Sequence, residues 1–326
     1  MHCQNLIRST LPGLFVIVLS LLVVSCGRGD HAGDDNDAPV LSLDGRTLTP
    51  VDFTAERYAQ LEENYLDAQR RLSANADNVE NHIWFGRRAA YLWRYREAIN
   101  IFSRALEQFP DEPRLYRHRG HRYITVRDFE RAKRDLEYAA KLIEGTEDTV
   151  EPDGAPNAAG IPVSTLHTNI WYHLGLTYYL TGRFDDSAEA FQQCLELSTN
   201  DDMKVASSDW LYMSLRRSGR EMEALAVLDL IDPAVDLLEN HSYLKRLSMY
   251  KGLTTPDSLL FVDDMEDRAL TLATQGYGVG NWYLYQGDST RALQIFDDVL
   301  EGEYWPAFGY IAAEADRVRL TDRSSY

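Results

Sequence analysis

Two histidines that stand three residues apart are the clearest candidates for metal chemistry in this 326-residue chain. On a helix His118 and His121 would share a face, and two imidazoles on one face can ligate a transition metal. Their neighbours Arg117, Arg119 and Arg122 carry positive charges that repel a cation. We therefore expect no metal site here.

A single internal cysteine and one pair of aspartates are the next candidates. Cys194 could act as a nucleophile only with a nearby base and an exposed thiolate; its neighbours suggest neither, so we expect a small buried residue. Asp201 and Asp202 follow Asn200 and could cap a helix. A calcium site would need further spaced oxygen ligands, so we favour the cap. His173 lies beside packing positions and is expected to be a hydrogen-bonded structural group.

The sequence contains none of the short motifs that mark common active sites. It has no glycine-rich phosphate loop, no H-E-x-x-H zinc motif, no cysteine pair at metal-ligand spacing and no G-x-S-x-G turn. These absences predict a protein that is not an enzyme and that holds no metal or cofactor.

The chain is strongly acidic, with 33 Lys and Arg against 51 Asp and Glu and a net charge of −18. A nucleic-acid partner would require a basic stripe, so the composition argues against one. The charge is uneven, because residues 79–145 hold 14 basic and 10 acidic side chains. The chain is therefore electrically polarised along its length.

The first 26 residues have the order of features found in an export signal. One basic residue, Arg8, precedes the apolar run Leu11–Val24, which is shorter than a typical transmembrane helix. The sequence Val-Val-Ser-Cys that ends this region resembles the lipobox of bacterial lipoproteins. The resemblance implies that residues 1–25 are a signal peptide and that Cys26 carries acyl chains such as palmitate, which anchor the protein to a bilayer of the cell envelope. The alternative is an ordinary secretory signal with a chance cysteine.

The segment that follows the cysteine, residues 26–50, is predicted to be a flexible acidic tether, because most of it is small, polar and acidic. From 51 to 326 the sequence predicts stacked helices. A long amphipathic helix over 53–74 is expected to cap one end of the stack, and a helix over 305–320 with a polar end is expected to close the other.

Small and aromatic residues recur at a spacing of 34 residues, interrupted by one insertion. The matching positions are Phe85-Gly86, Ala98, Phe102, Ala105 and Pro110; Gly120, Tyr123, Ala132, Leu136 and Ala139; Trp171, Leu174-Gly175, Tyr178, Ser187, Phe191 and Cys194; and Gly280, Tyr283, Ala292, Phe296 and Val299. This pattern resembles the tetratricopeptide repeat family. The resemblance implies an all-α fold, a right-handed superhelical α-solenoid of helix-turn-helix units with capping helices.

Six repeat units are expected, and one long loop separates the second from the third. The predicted units are about 79–112, 113–146, 168–201, 205–238, 239–272 (degenerate) and 273–306. The insertion 145–164 is rich in Gly and Pro and has no helical period, so it is either functional or disordered. Stretches such as NIWYHLGLTYYL and DWLYMSLRRSGR also resemble a group of bacterial tetratricopeptide lipoproteins.

In the tetratricopeptide family the first helix of each unit lines a concave groove, and the resemblance assigns groove positions here. They are Arg87, Tyr91, Arg117, His121, Tyr172, Tyr179, Met213, Arg217, Tyr243, Tyr250, Tyr277, Asn281 and Tyr285. Tyr and Arg dominate binding hot spots, so this set predicts a groove for a protein or peptide partner. The alternative is that several tyrosines pack between helices and that the arginines form a solvated face.

Three functional hypotheses follow. The leading one is a membrane-anchored scaffold that binds an extended segment of another envelope protein and does no chemistry. The second is an accessory lipoprotein of outer-membrane assembly or nutrient uptake. The third is an enzyme or small-ligand receptor in which the loop 145–164 is a lid over the groove.

Overall fold

The protein is described here from a computed structural model. The described residues are 36, 38–154, 156–261 and 271–323. All elements below belong to one compact unit, residues 35–326. The predicted signal peptide and the acylated Cys26 lie outside the described residues, so both stay predictions. Within the described ranges, no helix is long and apolar enough to cross a membrane.

Pairs of helices joined by short turns follow one another along the chain, after a first helix α1 (Ala55–Ala74). The pairs of the first four units are α2 (Val79–Tyr91) with α3 (Tyr95–Gln108), α4 (Pro113–Thr125) with α5 (Phe129–Leu142), α6 (Leu166–Leu180) with α7 (Phe184–Leu197), and α8 (Asp201–Arg217) with α9 (Glu221–Asp229). The prediction of an all-α helical-repeat fold is confirmed. The fourth unit begins at Asp201 rather than at 205.

The C-terminal part is less regular than the first four units. Its elements are α10 (His241–Tyr250), α11 (Pro256–Leu260), a π-helical turn (Leu272–Gly276), α12 (Tyr277–Tyr285), α13 (Ser289–Leu300) and α14 (Phe308–Arg323). Residues 262–270, which belong to the predicted degenerate unit, lie outside the described ranges. The π-helical turn runs directly into α12, so the first helix of the last unit is longer than α12 alone.

The two helices of a unit touch where a glycine of the first helix meets a large side chain of the second. A Cβ atom added at Gly120 would lie 2.7 Å from Cγ of Leu136, and one added at Gly175 would lie 2.8 Å from the ring of Phe191. Both distances are shorter than a normal carbon–carbon contact, so these helix pairs need glycine to approach so closely. Leu136 and Phe191 are completely buried.

The turn between the helices of a unit contains one residue with a positive φ angle. In units 3 and 4 this residue is Gly182 or Gly219, but in units 1 and 2 it is Trp93 (φ 61°) or Arg127 (φ 64°). A non-glycine residue in this conformation costs about 1–3 kcal/mol and persists where its surroundings hold it. Trp93 is held by Trp305, since the two rings meet edge to face with centroids 5.3 Å apart.

The last helix lies against the first helices of units 2 to 4. At the end of α4, Arg127 donates hydrogen bonds to Glu314 of α14 at 3.1 and 2.7 Å, and both side chains are almost fully buried. The same guanidinium donates to the backbone oxygen of Trp305 at 3.0 Å. Phe308, the first residue of α14, contacts the ring of His121 with centroids 5.3 Å apart. The C-terminal helix therefore covers part of the surface that the family resemblance assigns to a groove.

The residues just before α1 form a small hairpin. Strand β1 (Val40–Leu41) pairs antiparallel with β2 (Thr47–Leu48), and the backbone oxygen of Thr49 accepts a hydrogen bond from Nε1 of Trp305 at 2.7 Å. This finding corrects the expectation of a flexible tether over the whole of 26–50. Its final part is fixed to the C-terminal region, because the hairpin contributes backbone hydrogen-bonding groups that the tryptophan can use.

Candidate functional site

The residues assigned to the concave groove do lie on an inner face, but that face is filled by the protein itself. Met213, Tyr179 and Asn281 are 0 % exposed, and Tyr277 is 1 % exposed. The whole predicted set is buried or half-buried: Arg87, Tyr91, Arg117, His121, Tyr172, Tyr179, Met213, Arg217, Tyr243, Tyr250, Tyr277, Asn281 and Tyr285. The expectation of an open groove is corrected, because α14 contacts His121 and Arg217 and the loop residues 152–154 contact Arg87 and Tyr91. The alternative, in which the tyrosines pack between helices, describes the structure.

Asp316 of α14 is the centre of the polar contacts on this inner face. Its carboxylate accepts hydrogen bonds from Arg217 at 2.6 and 2.9 Å and from Arg319 at 3.0 and 2.7 Å. Burial raises the pKa of Asp316, but the positive charges of the two arginines outweigh it and bring the pKa to about 2. Oη of Tyr277 lies 2.9 Å from the carboxylate and 2.6 Å from Oη of Tyr179. At the polar end expected for the closing helix, Asp316 is therefore buried and paired, whereas Arg319 is half-buried.

A second buried ion pair joins α8 to α10. Arg246 donates to Asp209 from Nε at 3.0 Å and from a terminal nitrogen at 2.5 Å, and the two side chains are 3 % and 0 % exposed. The guanidinium lies 4.6 Å from the ring centre of Tyr243, whose hydroxyl is 3.0 Å from that of Tyr172. These two predicted groove tyrosines are thus positioned by a charge pair between helices.

The histidines of α4 and α6 are buried and have structural partners. The rings of His121 and His173 lie 4.3 Å apart, and Nδ1 of His173 is 2.6 Å from the backbone oxygen of Asn169, which confirms the structural role expected of His173. Burial lowers the pKa of His118 to about 3 and holds the pKa of His121 well below its ordinary value. In the part of the chain that the structure describes, no group of three or more His, Cys, Asp or Glu is placed to hold a metal.

Cys194 and the aspartate pair also have structural partners. Cys194 is completely buried, its Sγ is 3.4 Å from the backbone oxygen of Thr168, and burial raises its thiol pKa to about 12. The expectation of a small buried residue is confirmed. Asn200, not an aspartate, caps α8. The carboxylate of Asp202 instead accepts backbone hydrogen bonds at 2.9 to 3.0 Å from residues 238–240, which corrects the expected cap.

A larger opening lies on the outer face of units 2 to 4, and the sequence analysis did not find it. It is a groove of about 890 Å³ lined by α5, α7 and α9, to which α6 and α8 add Trp171 and Leu211. Leu228 of α9 is buried, whereas Met222 of α9 is 78 % exposed and Leu230, which follows α9 and lines the groove, is 68 % exposed. Apolar residues therefore extend from the packed side of α9 onto its exposed side. A surface helix normally keeps its exposed side polar, so this distribution is the sequence signal that could have located the groove.

Acidic side chains surround the outer groove. The charged residues that line it are Glu137, Lys141 and Glu144 of α5, Asp186 and Glu189 of α7, and Glu223 of α9 with Arg220 just before it. Several of these are paired, since Glu223 lies 2.6 Å from Arg220 and Asp186 lies 2.8 Å from Arg183. By contrast, the carboxylates of Glu144 and Glu189 form no hydrogen bond or ion pair with a residue that the structure describes, although Glu189 is among the charges that raise the pKa of Arg220. The groove therefore presents carboxylates without a direct partner beside apolar surface.

Residues 168–201 match the family model of the tetratricopeptide repeat. This match covers most of α6 and all of α7, the third unit of the series. The chain contains a tetratricopeptide repeat. The units before the match have the same helix pairs and the same glycine contacts, so the tetratricopeptide pattern extends beyond the matched residues. An array of tetratricopeptide repeats is a protein–protein interaction scaffold.

Proteins similar to this tetratricopeptide chain are distant. Anaphase-promoting complex subunit 3 of Schizosaccharomyces pombe is 24 % identical over 118 residues, which are 36 % of this chain and 15 % of that subunit. The solved structure of YrrB, described as a TPR protein with an unusual peptide-binding site, is 16 % identical with a TM-score of 0.40 and covers 77 % of this chain and 97 % of its own. A tetratricopeptide repeat protein from Parabacteroides merdae is 13 % identical with a TM-score of 0.42 and covers 79 % of each chain. These similarities do not identify a partner.

Proposed function

We propose that this tetratricopeptide-repeat protein is a membrane-anchored scaffold of the bacterial cell envelope that holds a basic amphipathic helix of a partner protein and does no chemistry of its own. The observation that carries the proposal is the outer groove of about 890 Å³ between α5, α7 and α9. The inner face is occupied by α14, so the outer face of the same units is the surface left for a partner.

The apolar part of the groove calls for an apolar stripe on the partner. Leu230, which follows α9, lines the groove and is 68 % exposed, and the exposed Ala226 of α9 lines it as well. Covering a large apolar side chain such as Leu230 contributes about 1.5–3 kcal/mol. Together with the groove floor around Trp171 and Leu211, these residues give a docked helix its apolar contact surface.

The charges around the groove determine whether a docked helix should be basic or acidic. Five carboxylates and two basic groups line it, and among the described residues the carboxylates of Glu144 and Glu189 form no ion pair. Lysine or arginine on the flanks of a docked helix would meet these carboxylates. Neighbouring helices pack about 8–10 Å apart, so a groove across three of them is roughly 20 Å long and accommodates about 13 helical residues.

The test uses defined peptides. A fluorescent amphipathic helix of leucine and lysine is titrated with the protein by anisotropy, beside a peptide of the same length in which glutamate replaces lysine. We expect the lysine peptide to bind and the glutamate peptide not to bind. The double variant Ala226→Lys with Leu230→Lys should weaken binding at least tenfold, since like charges and lost apolar surface both act against the peptide.

Leu253→Lys is the matched control, because Leu253 is 61 % exposed and does not line the groove. Its affinity for the lysine peptide should equal that of the wild type. Equal binding of both peptides, or equal weakening by the control, would show that the outer groove is not a specific docking surface.

The membrane anchor is supported by the apolar run that ends in Val-Val-Ser-Cys. We expect Cys26→Ser to yield a chain that takes up no fatty-acid label and leaves the membrane fraction, since acyl chains at this cysteine supply the anchor. Label that persists in the variant would overturn the lipid attachment. Peptide binding by the outer groove is measured separately and does not depend on this result.

A further inference from the structure

A small cavity lies between α2, α4 and the loop 145–164, away from the outer groove. Its volume is about 210 Å³, and Arg87, Arg117 and Arg122 line it together with Asp153 of the loop. Arginines are normally exposed or paired, so three of them around one cavity require an explanation.

One of these arginines has a carboxylate partner and another has none. Nε of Arg117 lies 3.3 Å from Glu151, and a terminal nitrogen of Arg117 is 2.8 Å from Nδ1 of His118. Among the described residues, the guanidinium of Arg122 has neither a hydrogen-bond acceptor nor an ion-pair partner, and it lies 5.6 Å from the ring centre of Tyr95. Burial lowers the pKa of Arg122 to about 10, which leaves the side chain charged at neutral pH.

Two buried polar atoms of the cavity lining lack a good hydrogen bond. They are the acceptor Oδ2 of Asp153 and the donor Nε of Arg117, whose contact with Glu151 is 3.3 Å long. Both atoms lose hydration on burial without a full replacement. A donor and an acceptor left open at one cavity would be satisfied by a molecule that both accepts and donates hydrogen bonds.

The net charge of the site limits the ligand. The histidines beside it, His118 and His121, are neutral at pH 7 because burial lowers the pKa of each. The three arginines then face the carboxylates of Glu151 and Asp153, and one positive charge remains. A monoanion balances this charge, whereas a phosphate dianion would be repelled by the two carboxylates.

The loop is fixed over the cavity. Arg87 donates a hydrogen bond to the backbone oxygen of Pro152 at 2.8 Å. Gly154 lies so close to Tyr91 that a Cβ atom would be 1.5 Å from the tyrosine oxygen. Residues 152–154 of the insertion therefore form a wall of the cavity and supply its carboxylate. This contact explains why the long loop is ordered at this point.

We propose that this cavity binds a small hydroxycarboxylate, whose carboxylate lies between Arg117 and Arg122 and whose hydroxyl donates to Asp153. The volume supports this size, since a water molecule takes up about 30 Å³ and the cavity has room for roughly seven such groups. The site is separate from the proposed partner groove, so either can fail without the other.

Isothermal titration calorimetry with glycolate, acetate and inorganic phosphate tests the proposal. We expect glycolate to bind with one site per chain and more tightly than either acetate or phosphate. Arg122→Gln should weaken the binding of glycolate at least tenfold, because a hydrogen bond between charged groups is lost. Arg183→Gln is the control, since Arg183 pairs with Asp186 in solvent and should bind glycolate as the wild type does.

Asp153→Ala examines the hydroxyl contact and does not depend on the folding of the Arg122 variant. It should reduce the preference for glycolate over acetate, because acetate has no hydroxyl to donate. An unchanged preference, an unchanged glycolate affinity in a folded Arg122→Gln protein, or no binding heat at millimolar glycolate would overturn the proposal. The last result would mean that the cavity holds water alone.

Discussion

The inner and outer faces of units 2 to 4 are built from the same helix pairs, yet they differ in what covers them. On the inner face α14 covers the first helices, and Asp316 is paired with Arg217 and Arg319. On the outer face the groove between α5, α7 and α9 is open, and Met222 projects into solvent. The same repeat therefore yields an inner surface that is covered and paired by the protein itself and an outer surface that is left uncovered.

This difference shows that a repeat pattern predicts which residues lie on the inner face of the helix pairs. It does not predict what covers that face. The 34-residue spacing places Tyr179 on the inner face, and it is there. What covers Tyr179 is Tyr277, 98 residues further along the chain. Contacts between units that are neighbours in sequence follow from the repeat, whereas a contact between distant units depends on how many units are stacked and how they curve.

The largest effect should come from breaking the inner face at Asp316. Asp316→Asn leaves Arg217 and Arg319 buried without a counter-charge, so we expect the free energy of unfolding to fall by about 3–5 kcal/mol. Urea unfolding measures this loss. Asp186→Asn is the outer-face control, because its pair with Arg183 is exposed, and it should cost less than about 1 kcal/mol. Equal losses would mean that the inner ion pairs do not hold α14.

Acid should weaken the inner face through the same carboxylate. The pKa of Asp316 is about 2 in the folded protein, below its ordinary value of 3.8. Its contribution is therefore complete above about pH 4 and is lost as the pH falls toward about 2. Urea midpoints of the wild type and Asp316→Asn should converge over this range. Midpoints that stay equally far apart would assign the acid sensitivity to another group.

Much of the fold could be predicted, because close helix contacts need particular residues at particular positions. Gly120 and Gly175 mark such contacts, and the structure has them where the repeat spacing puts them. The backbone conformation of the turns could not be predicted in the same way. Trp93 and Arg127 hold a positive φ angle where later units have glycine, and they do so through contacts with Trp305 and Glu314. Such distant contacts leave no local pattern.

The candidate sites were harder to predict than the fold. The loop 145–164 was expected to be functional or disordered, but its spacing could not show that Asp153 would meet three arginines. The sequence shows that Arg122 carries a positive charge. It does not show that the side chain is buried without a hydrogen-bond acceptor, because burial depends on the assembled structure. The outer groove was missed because apolar residues on α9 read as ordinary packing positions, and exposure appears only when the units are assembled.

An intermediate effect should come from overpacking the helix pairs that both faces share. Gly120→Leu and Gly175→Leu place a side chain where even a Cβ atom is too close to Leu136 or Phe191. We expect each to lower the free energy of unfolding by about 1–3 kcal/mol or more. Gln192→Leu on the exposed side of α7 introduces the same residue without a clash and should change stability little. Unchanged melting temperatures in both glycine variants would mean that the repeat register is wrong.

The smallest effect on stability should come from the outer face, at an exposed residue that lines the groove. Met213 of α8 is 0 % exposed, whereas Leu230, which follows α9 in the same repeat unit, is 68 % exposed. Leu230→Ala should change the free energy of unfolding by no more than about 0.5 kcal/mol, whereas Met213→Ala should cost about 2–5 kcal/mol. Binding of the basic peptide should respond in the opposite order, since Leu230 lines the groove where the proposed helix docks. If Leu230→Ala leaves both stability and peptide affinity unchanged, the exposed part of the groove lining is ordinary surface.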